Sequence, residues 1–234
     1  MGMGMTAETV AIIGGAGELG YGLALRFASA GAKVVIGSRD EKKAQDAAAR
    51  VKQAVPTADV TGFGNADAAG KATIAILAVP FSAQAAILKS IRPALKTAIL
   101  VDATVPLAAT VGGRPTRLIG VWEGSAGQAA RELLPGVPVV SAFHNVSADV
   151  LQDASAVPDC DVLICGDDPA AKERVAALVK LIPGLRPLDA GALEMSRIVE
   201  GLTALLIALN RRYKVHHAGI RITGMEIEAR PPFG

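Results

Sequence analysis

Aromatic side chains are scarce: Phe, Trp and Tyr together make up 3% of the 234 residues. The core must therefore come from Ala, Val, Ile and Leu, and an array of rings for stacking single-stranded nucleic acid is excluded. Cysteine is scarcer still. Cys160 and Cys165 cannot staple a chain this long, and their five-residue offset puts them on opposite faces of a strand. A disulfide framework and a zinc site are excluded, and a reducing, cytoplasmic compartment is expected. No apolar run reaches the ~18 residues of a membrane span. Neither sign of charge dominates: 24 Lys and Arg face 22 Asp and Glu, a net of +2. That gives no global reason to bind nucleic acid or an acidic membrane. Met1–Thr6 lack the basic and apolar segments of a secretory signal. Gly2 fits a lipidation pattern only loosely, and residues 1–8 read as a flexible start.

Apolar residues are plentiful, at 51%, and mean hydropathy is +0.38, which excludes intrinsic disorder. Short apolar runs alternate with amphipathic stretches. Strands are expected at Thr9–Ile13, Val34–Gly37, Val60–Phe63, Thr73–Val79, Ile99–Val101, Val137–Phe143, Asp161–Cys165 and Arg186–Leu188. Helices are expected at Leu19–Ala30, Glu41–Ala54, Ser82–Leu95, Gln128–Leu134, Pro169–Leu181 and Ala192–Arg212, before a tail with Pro231 and Pro232. Strand followed by helix, repeated, means a parallel sheet covered on both faces. The last helix is apolar all round from Gly201 to Leu209, so it is either central or covered by a second subunit. Leu107–Ser125, with the lone Trp122, is long enough to expect a functional loop, read here as a lid.

The segment Gly14-Gly15-Ala16-Gly17-Glu18-Leu19-Gly20 holds G-x-G-x-x-G between the first strand and the first helix. There, glycine makes the tight turn, lets backbone approach a pyrophosphate, and lets helix pack on strand. The helix N-terminus adds free N–H groups and partial positive charge. Glu18 is expected to face solvent or to meet the ligand through water or a ribose hydroxyl. At the end of the second strand an NAD site would carry an acid for the ribose 2′-hydroxyl. This chain has Ser38 and Arg39, with Lys43 a helical turn on: three donors suited to a 2′-phosphate. The cofactor read from them is NADP(H).

Ligands in such sheets sit at the carboxyl ends of the strands. Val79-Pro80-Phe81, Asp102–Pro106, Phe143–Val146 and Cys165–Asp168 are expected there. Val79, Pro80 and Phe81 would wall a nicotinamide, and His144 is a candidate hydrogen-bonding group or a packed histidine. No proton-transfer pair stands out, and G-x-S-x-G, H-E-x-x-H and a P-loop lysine are absent. Arg211, Arg212, Lys214, His216, His217 and Arg221 cluster without an acid among them. They either complement the end of the last helix or receive an anionic second substrate.

From Val10 to about Gly224 the chain resembles the NADPH-dependent F420 reductases (F420H2:NADP oxidoreductases). The resemblance rests on the glycine turn, Gly37-Ser38-Arg39, Val139–His144, Cys165-Gly166-Asp167-Asp168, Gly184-Leu185-Arg186-Pro187-Leu188-Asp189-Ala190-Gly191 and Ala218–Gly224. It implies a Rossmann-type doubly wound, mostly parallel sheet with a small C-terminal α/β domain, divided as 9–145 and 146–234, and a homodimer. It implies reversible hydride transfer between NADP(H) and coenzyme F420, a deazaflavin with a phosphate and an oligoglutamate tail. Gly14, Gly15, Ala16, Gly17, Glu18, Leu19 and Gly20 would bind pyrophosphate, and Ser38, Arg39 and Lys43 the 2′-phosphate. Val79, Pro80, Phe81, Ala85, His144, Val146 and Ala148 would surround the two rings. No metal and no side chain acting as acid or base is implied. Ala16 and Glu18 depart from the Thr and Asn or Asp of the family, and Phe81 from an occasional Trp. Two alternatives stay open: an NADP-dependent reductase of a flavin, metal chelate, carbonyl or imine, and a non-enzymatic NADP(H) sensor.

Overall fold

Strict alternation along short apolar strands sorts the core into two layers. In the computed structural model, which describes residues 8–225, Val10, Ile12, Val34, Ile36, Ile74 and Ile76 face one layer. Ala11, Ile13, Val35, Ala75 and Leu77 face the other. The strands are β1 (Thr9–Ile13), β2 (Lys33–Ser38), β3 (Val60–Gly64), β4 (Ile74–Leu77), β5 (Ile99–Asp102), β6 (Val139–Ser141), β7 (Cys160–Gly166) and β8 (Leu185–Gly191). They form one sheet in the order β3-β2-β1-β4-β5-β6-β7-β8.

Helices α1 (Glu18–Ser29), α2 (Glu41–Ala54), α6 (Ala148–Gln152) and α7 (Pro169–Val179) cover the first face. The second face carries α3 (Asn65–Gly70), α4 (Phe81–Leu95) and α5 (Ala126–Leu133). The last helix, α8 (Ser196–Tyr213), follows a 3-10 turn at Leu193–Met195 and packs Val199 against Leu163, Cys165 and Leu188. Cys160 and Cys165 face different clusters, as their spacing predicts, and both are free. No helix among the described residues is long and apolar enough to cross a membrane.

Strands β1 to β6 run parallel, but β7 pairs antiparallel to β6 and β8 parallel to β7. The cause lies in the connection after β6. Residues 142–159 hold only the five-residue α6, too short to carry the chain back across the sheet as a crossover would. The chain therefore enters β7 from the edge where it left β6. This corrects one expectation: with Val140 opposite Gly166 and Ser141 opposite Cys165, Asp167 and Asp168 fall at the amino-terminal edge of β6, away from the ligand crevice. The beginning of β7 lies at the crevice instead.

The chain after α8 returns to that beginning. Asp161, fully buried, accepts from Arg186 (2.6 and 2.8 Å), from the Ile222 N–H (2.7 Å) and from Arg221 (3.1 Å). Burial alone would raise the Asp161 pKa, but these donors outweigh it and hold the carboxyl below its ordinary range. Expected features in residues 1–7 and 226–234, the start at Gly2 and the tail with Pro231 and Pro232, lie outside the described residues.

Candidate active site

The glycine turn is built by contacts only glycine permits. Gly14 has φ +81°, and a Cβ there would lie 2.4 Å from Val79 Cγ1. A Cβ on Gly20 would lie 2.7 Å from the Gly14 carbonyl oxygen and from Gly15 Cα, so the helix needs this glycine to approach the strand. Gly17 differs. It N-caps α1 without a side-chain bond, and a Cβ there would meet only the Gly14 oxygen, at 3.3 Å. The open side of the turn is at Gly17, beside exposed Ala16 and Glu18, where an anion would meet the unpaired N–H groups of the first turn.

The Gly14 and Gly15 N–H groups both donate to the Gly37 carbonyl at 3.0 Å. This ties the turn to the end of β2 and places Ser38 and Arg39 beside it. The Ser38 hydroxyl oxygen accepts the Asp40 N–H at 3.2 Å, which leaves its own proton to donate. Asp40 itself caps α2 by accepting from the Lys42 N–H at 3.0 Å, so the nearest acid is spent on the helix. Arg39 and Lys43 are exposed. A hydroxyl donor and two cations fit a 2′-phosphate.

Glu18 is exposed but not free: Gln152 of α6 donates to its side chain (2.7 Å) and to its carbonyl (3.0 Å). A Cβ on Gly22 would lie 2.7 Å from Leu151 Cβ. Arg26 donates to the carbonyls of Val150, Leu151, Asp153 and Ala156 at 2.5–2.9 Å. One guanidinium thus satisfies the end of α6 and the turn after it, and it locks α6 to the helix that carries the glycine turn. Sequence reading missed α6 because five residues give no period.

Before α6 the chain passes through Phe143, which holds φ +69°. A left-handed residue other than glycine costs about 1 kcal/mol or more. Phe143 is fully buried, edge-on to Phe27 at 6.2 Å between centroids, and that packing holds the turn. The next residue, His144, is 6% exposed. Its Nε2 lies 3.3 Å from Ser141 Oγ, and its Nδ1 has no partner. Burial lowers its pKa to about 4, so the ring is neutral at physiological pH.

His144, Val146 and Ala148 line one cavity of about 190 Å³ with Thr203, Leu206, Ile207 and Asn210 of α8. Thr203 also donates to the His144 carbonyl at 2.8 Å. Thr203 and Asn210 were not read from sequence as site residues. Their seven-residue spacing, two polar positions in an apolar helix, was the available signal. Val79, Pro80 and Phe81 follow the carboxyl end of β4: Val79 lies against Gly14, Pro80 is the N-cap of α4, and Phe81 is its first residue. Ala85, one turn on, is exposed.

Beneath this region lies a buried polar network that the sequence did not announce. Gln84 Nε2 donates to Asp102 (2.5 Å), Thr104 (2.9 Å) and the Ala126 carbonyl (2.9 Å). Glu200 of α8 accepts the N–H groups of Ala126 (2.9 Å) and Gly127 (3.0 Å), and Ser196 bonds Ser125 at 2.7 Å. Burial raises Asp102 to about 6 and Glu200 to about 7. The loop expected as a lid, Leu107–Ser125, ends in this network. It folds on itself through a Leu107–Leu118 bridge and packs Leu118 near Gly201 of α8, with Trp122 fully in solvent. The walls of the His144 cavity come from other segments.

Parallel strands in the order 3-2-1-4-5-6, with a glycine turn between the first strand and its helix, define the class: a Rossmann-type dinucleotide-binding α/β protein. Residues 9–106 match the family described as NADP oxidoreductase, coenzyme F420-dependent. The chain is 46% identical over 220 residues to the F420-dependent NADP reductase of Methanothermobacter thermautotrophicus, covering 92% of this chain and 95% of that one. It is 43% identical to the enzyme of the same name from Methanocaldococcus jannaschii, covering 93% and 99%. A crystal structure from Arthrobacter sp. FB24, provisionally described as an F420-dependent NADP reductase, superposes with a TM-score of 0.79 at 28% identity, covering 92% and 99%. The chain belongs to the F420-dependent NADP reductase family.

Proposed function

We propose that this protein transfers a hydride between NADP(H) and coenzyme F420, reversibly, as an NADPH:F420 oxidoreductase. The observation that carries the cofactor side is the bond pair from Gly14 and Gly15 to the Gly37 carbonyl. It ties the glycine turn to the strand end that carries Ser38 and Arg39, with Lys43 one turn into the following helix. The second substrate is carried by the family relationship over nearly the whole chain.

When both carriers are bound, one supplies the hydride and the other accepts it. The protein's part is to hold the two rings in register and dry. In this reading, the N–H groups at Glu18 and Leu19 bind the pyrophosphate, the Gly17 N–H being spent on the Gly14 carbonyl, and Ser38, Arg39 and Lys43 bind the 2′-phosphate. Val79, Pro80 and Phe81 wall the nicotinamide. His144, Val146 and Ala148 line the cavity that receives the second ring, with the His144 imidazole neutral. No side chain acts as acid or base; the proton that balances the hydride on the deazaflavin is exchanged with solvent at N1.

The reading includes a unit at 9–145 that binds NADP(H), a unit at 146–234 that completes the pocket, and a homodimer in the cytoplasm. Support for the dimer comes from α8. Ile198, Leu202, Leu205 and Leu209 form a stripe at helical spacing, and Ile198 and Leu205 are 54% and 51% exposed. An apolar stripe of this kind is covered in a stable assembly.

Deuterium tests the chemistry. NADPH labelled at the reactive C4 position should deliver its label to C5 of the deazaflavin, read by mass spectrometry, with no wash-out to water. Label found only in water would overturn direct transfer.

A further inference from the structure

Helix α8 has two faces. At about 100° per residue, Thr203, Ile207, Asn210, Arg211 and Lys214 share one side, opposite the apolar stripe of Ile198, Leu202, Leu205 and Leu209. The first side lines two adjoining spaces. The inner one is the His144 cavity. The outer is an open trough of about 480 Å³ lined by Ile207, Asn210, Arg211, Lys214, Val215 and His216. Ile207 and Asn210 belong to both.

The trough is preformed. Lys214 ends α8 in the left-handed conformation, at φ 53°. The turn beyond it is pinned three times: the Val215 N–H donates to the Asn210 carbonyl (3.0 Å), the Ala218 N–H to Asn210 Oδ1 (3.0 Å), and Ser147 Oγ to the His216 carbonyl (2.9 Å). Its charged lining is cationic, Arg211 and Lys214, both exposed, with His216 beside them. No carboxylate among the described residues lines the trough; Asp149 lines the inner cavity. The structure divides the basic cluster seen in sequence. Arg221 is committed to Asp159 and Asp161, and Arg212 falls on the side of the apolar stripe. His217 lines a separate space with Asp159 and Cys160, which leaves Arg211, Lys214 and His216 in the trough.

We infer that this trough binds an anionic arm, a chain bearing phosphate or carboxylates, on the substrate whose ring enters the His144 cavity. Two spaces share walls with the His144 cavity: one carries Asp159, and the other is the cationic trough beyond Ile207 and Asn210; an anionic arm on a ring seated against His144 and Thr203 is favoured in the second. The inference deepens the proposed function and rests on it for the identity of the ring.

The test is a fluorescence titration, which needs no turnover. Three deazaflavins are compared: one with phosphate and glutamates, one with phosphate only, and one ending in the ribityl alcohol. The variant R211A/K214A should raise the Kd of the full-length compound about tenfold at low salt, and leave the Kd for the alcohol and for NADPH unchanged. The conservative R211K/K214R should keep most of the affinity. If the phosphate-only compound responds like the full one, the trough reads phosphate; if it does not, the trough reads carboxylates. An equal loss for all three compounds, or a drop in thermal stability with every Kd unchanged, would overturn the inference and leave the cations as partners of the helix end. Wild-type protein that binds none of the three would also overturn it. Tight binding of the full compound without its reduction by NADPH would sink the proposed reaction and leave the trough standing.

Discussion

Gly20 lies so close beneath Gly14 that a Cβ on it would stand 2.7 Å from the Gly14 carbonyl oxygen. The first turn of α1 is held at the end of β1 by this contact, while a Cβ on Gly17 would meet only the Gly14 carbonyl oxygen, at 3.3 Å. The two glycines therefore separate into a packing position and a ligand position. Gly20→Ala should destabilise the fold by roughly 1–3 kcal/mol through overpacking, measured by urea unfolding. Gly17→Ala should leave the unfolding midpoint nearly unchanged and weaken NADPH about tenfold or more, because the added methyl stands where backbone must approach the pyrophosphate. Equal effects of the two on stability would contradict the division.

Arg39 should set coenzyme choice. A charge-assisted bond to phosphate contributes about 1.5–3 kcal/mol, so Arg39→Ala should reduce kcat/KM for NADPH by about one to two decades. NADH, which lacks the phosphate, should change little. A matching loss with both coenzymes would assign Arg39 to adenine stacking or to structure.

Two buried groups give stability opposite pH dependences. The His144 pKa is depressed to about 4, so its contribution is present above the ordinary histidine value near 6.5 and is lost as pH falls through 4. The loss is on the order of 3 kcal/mol. His144→Gln should remove that part of the acid limb, seen as a smaller fall in the urea midpoint between pH 7 and 4.5. Glu200 is raised to about 7, so its contribution is present below the ordinary glutamate range and is lost as pH rises through 7. Glu200→Gln should flatten that side between pH 5.5 and 8.5. It also lowers stability, because Ala126 and Gly127 donate to different carboxylate oxygens and an NH2 group replaces one of them. Unchanged pH slopes in both variants would place the titration elsewhere.

Arg26 tests whether α6 must be held. Arg26→Met keeps the apolar stem and removes the bonds to the carbonyls of Val150, Leu151, Asp153 and Ala156. A loss of roughly 2–3 kcal/mol is expected. Since α6 carries Ala148 of the second-ring cavity, KM for F420 should rise more than KM for NADPH. The reverse order would mean that the bonds serve α1 and the glycine turn.

The parallel half of the sheet was legible because its strands are apolar runs bounded by glycine, and its helices are long enough to show a period. The glycine turn, Ser38, Arg39 and Lys43 were legible for the same reason: they sit at fixed offsets from the first two strands. The reversal at β7 was not, since nothing local to Cys160–Gly166 records strand direction; it follows from what the preceding 18 residues fail to span. Thr203, Asn210 and the Gln84–Asp102–Glu200 network were hidden for a related reason. Each is one polar residue in an apolar segment, and only the tertiary fold shows which face it occupies. Arg221 was misassigned to the basic cluster because its partners Asp159 and Asp161 lie some 60 residues away in sequence.

The central claim is tested most directly by mixing the protein anaerobically with NADPH and oxidised F420 and following the deazaflavin absorbance. Rapid bleaching with NADPH, and little with NADH, is the expected result, and it joins the reaction to the Ser38, Arg39 and Lys43 assignment in one experiment. Tight NADPH binding with no bleaching would contradict the claim. Weight would then move to a flavin, metal chelate, carbonyl or imine as the true acceptor, or to a protein that senses NADP(H) without turning it over.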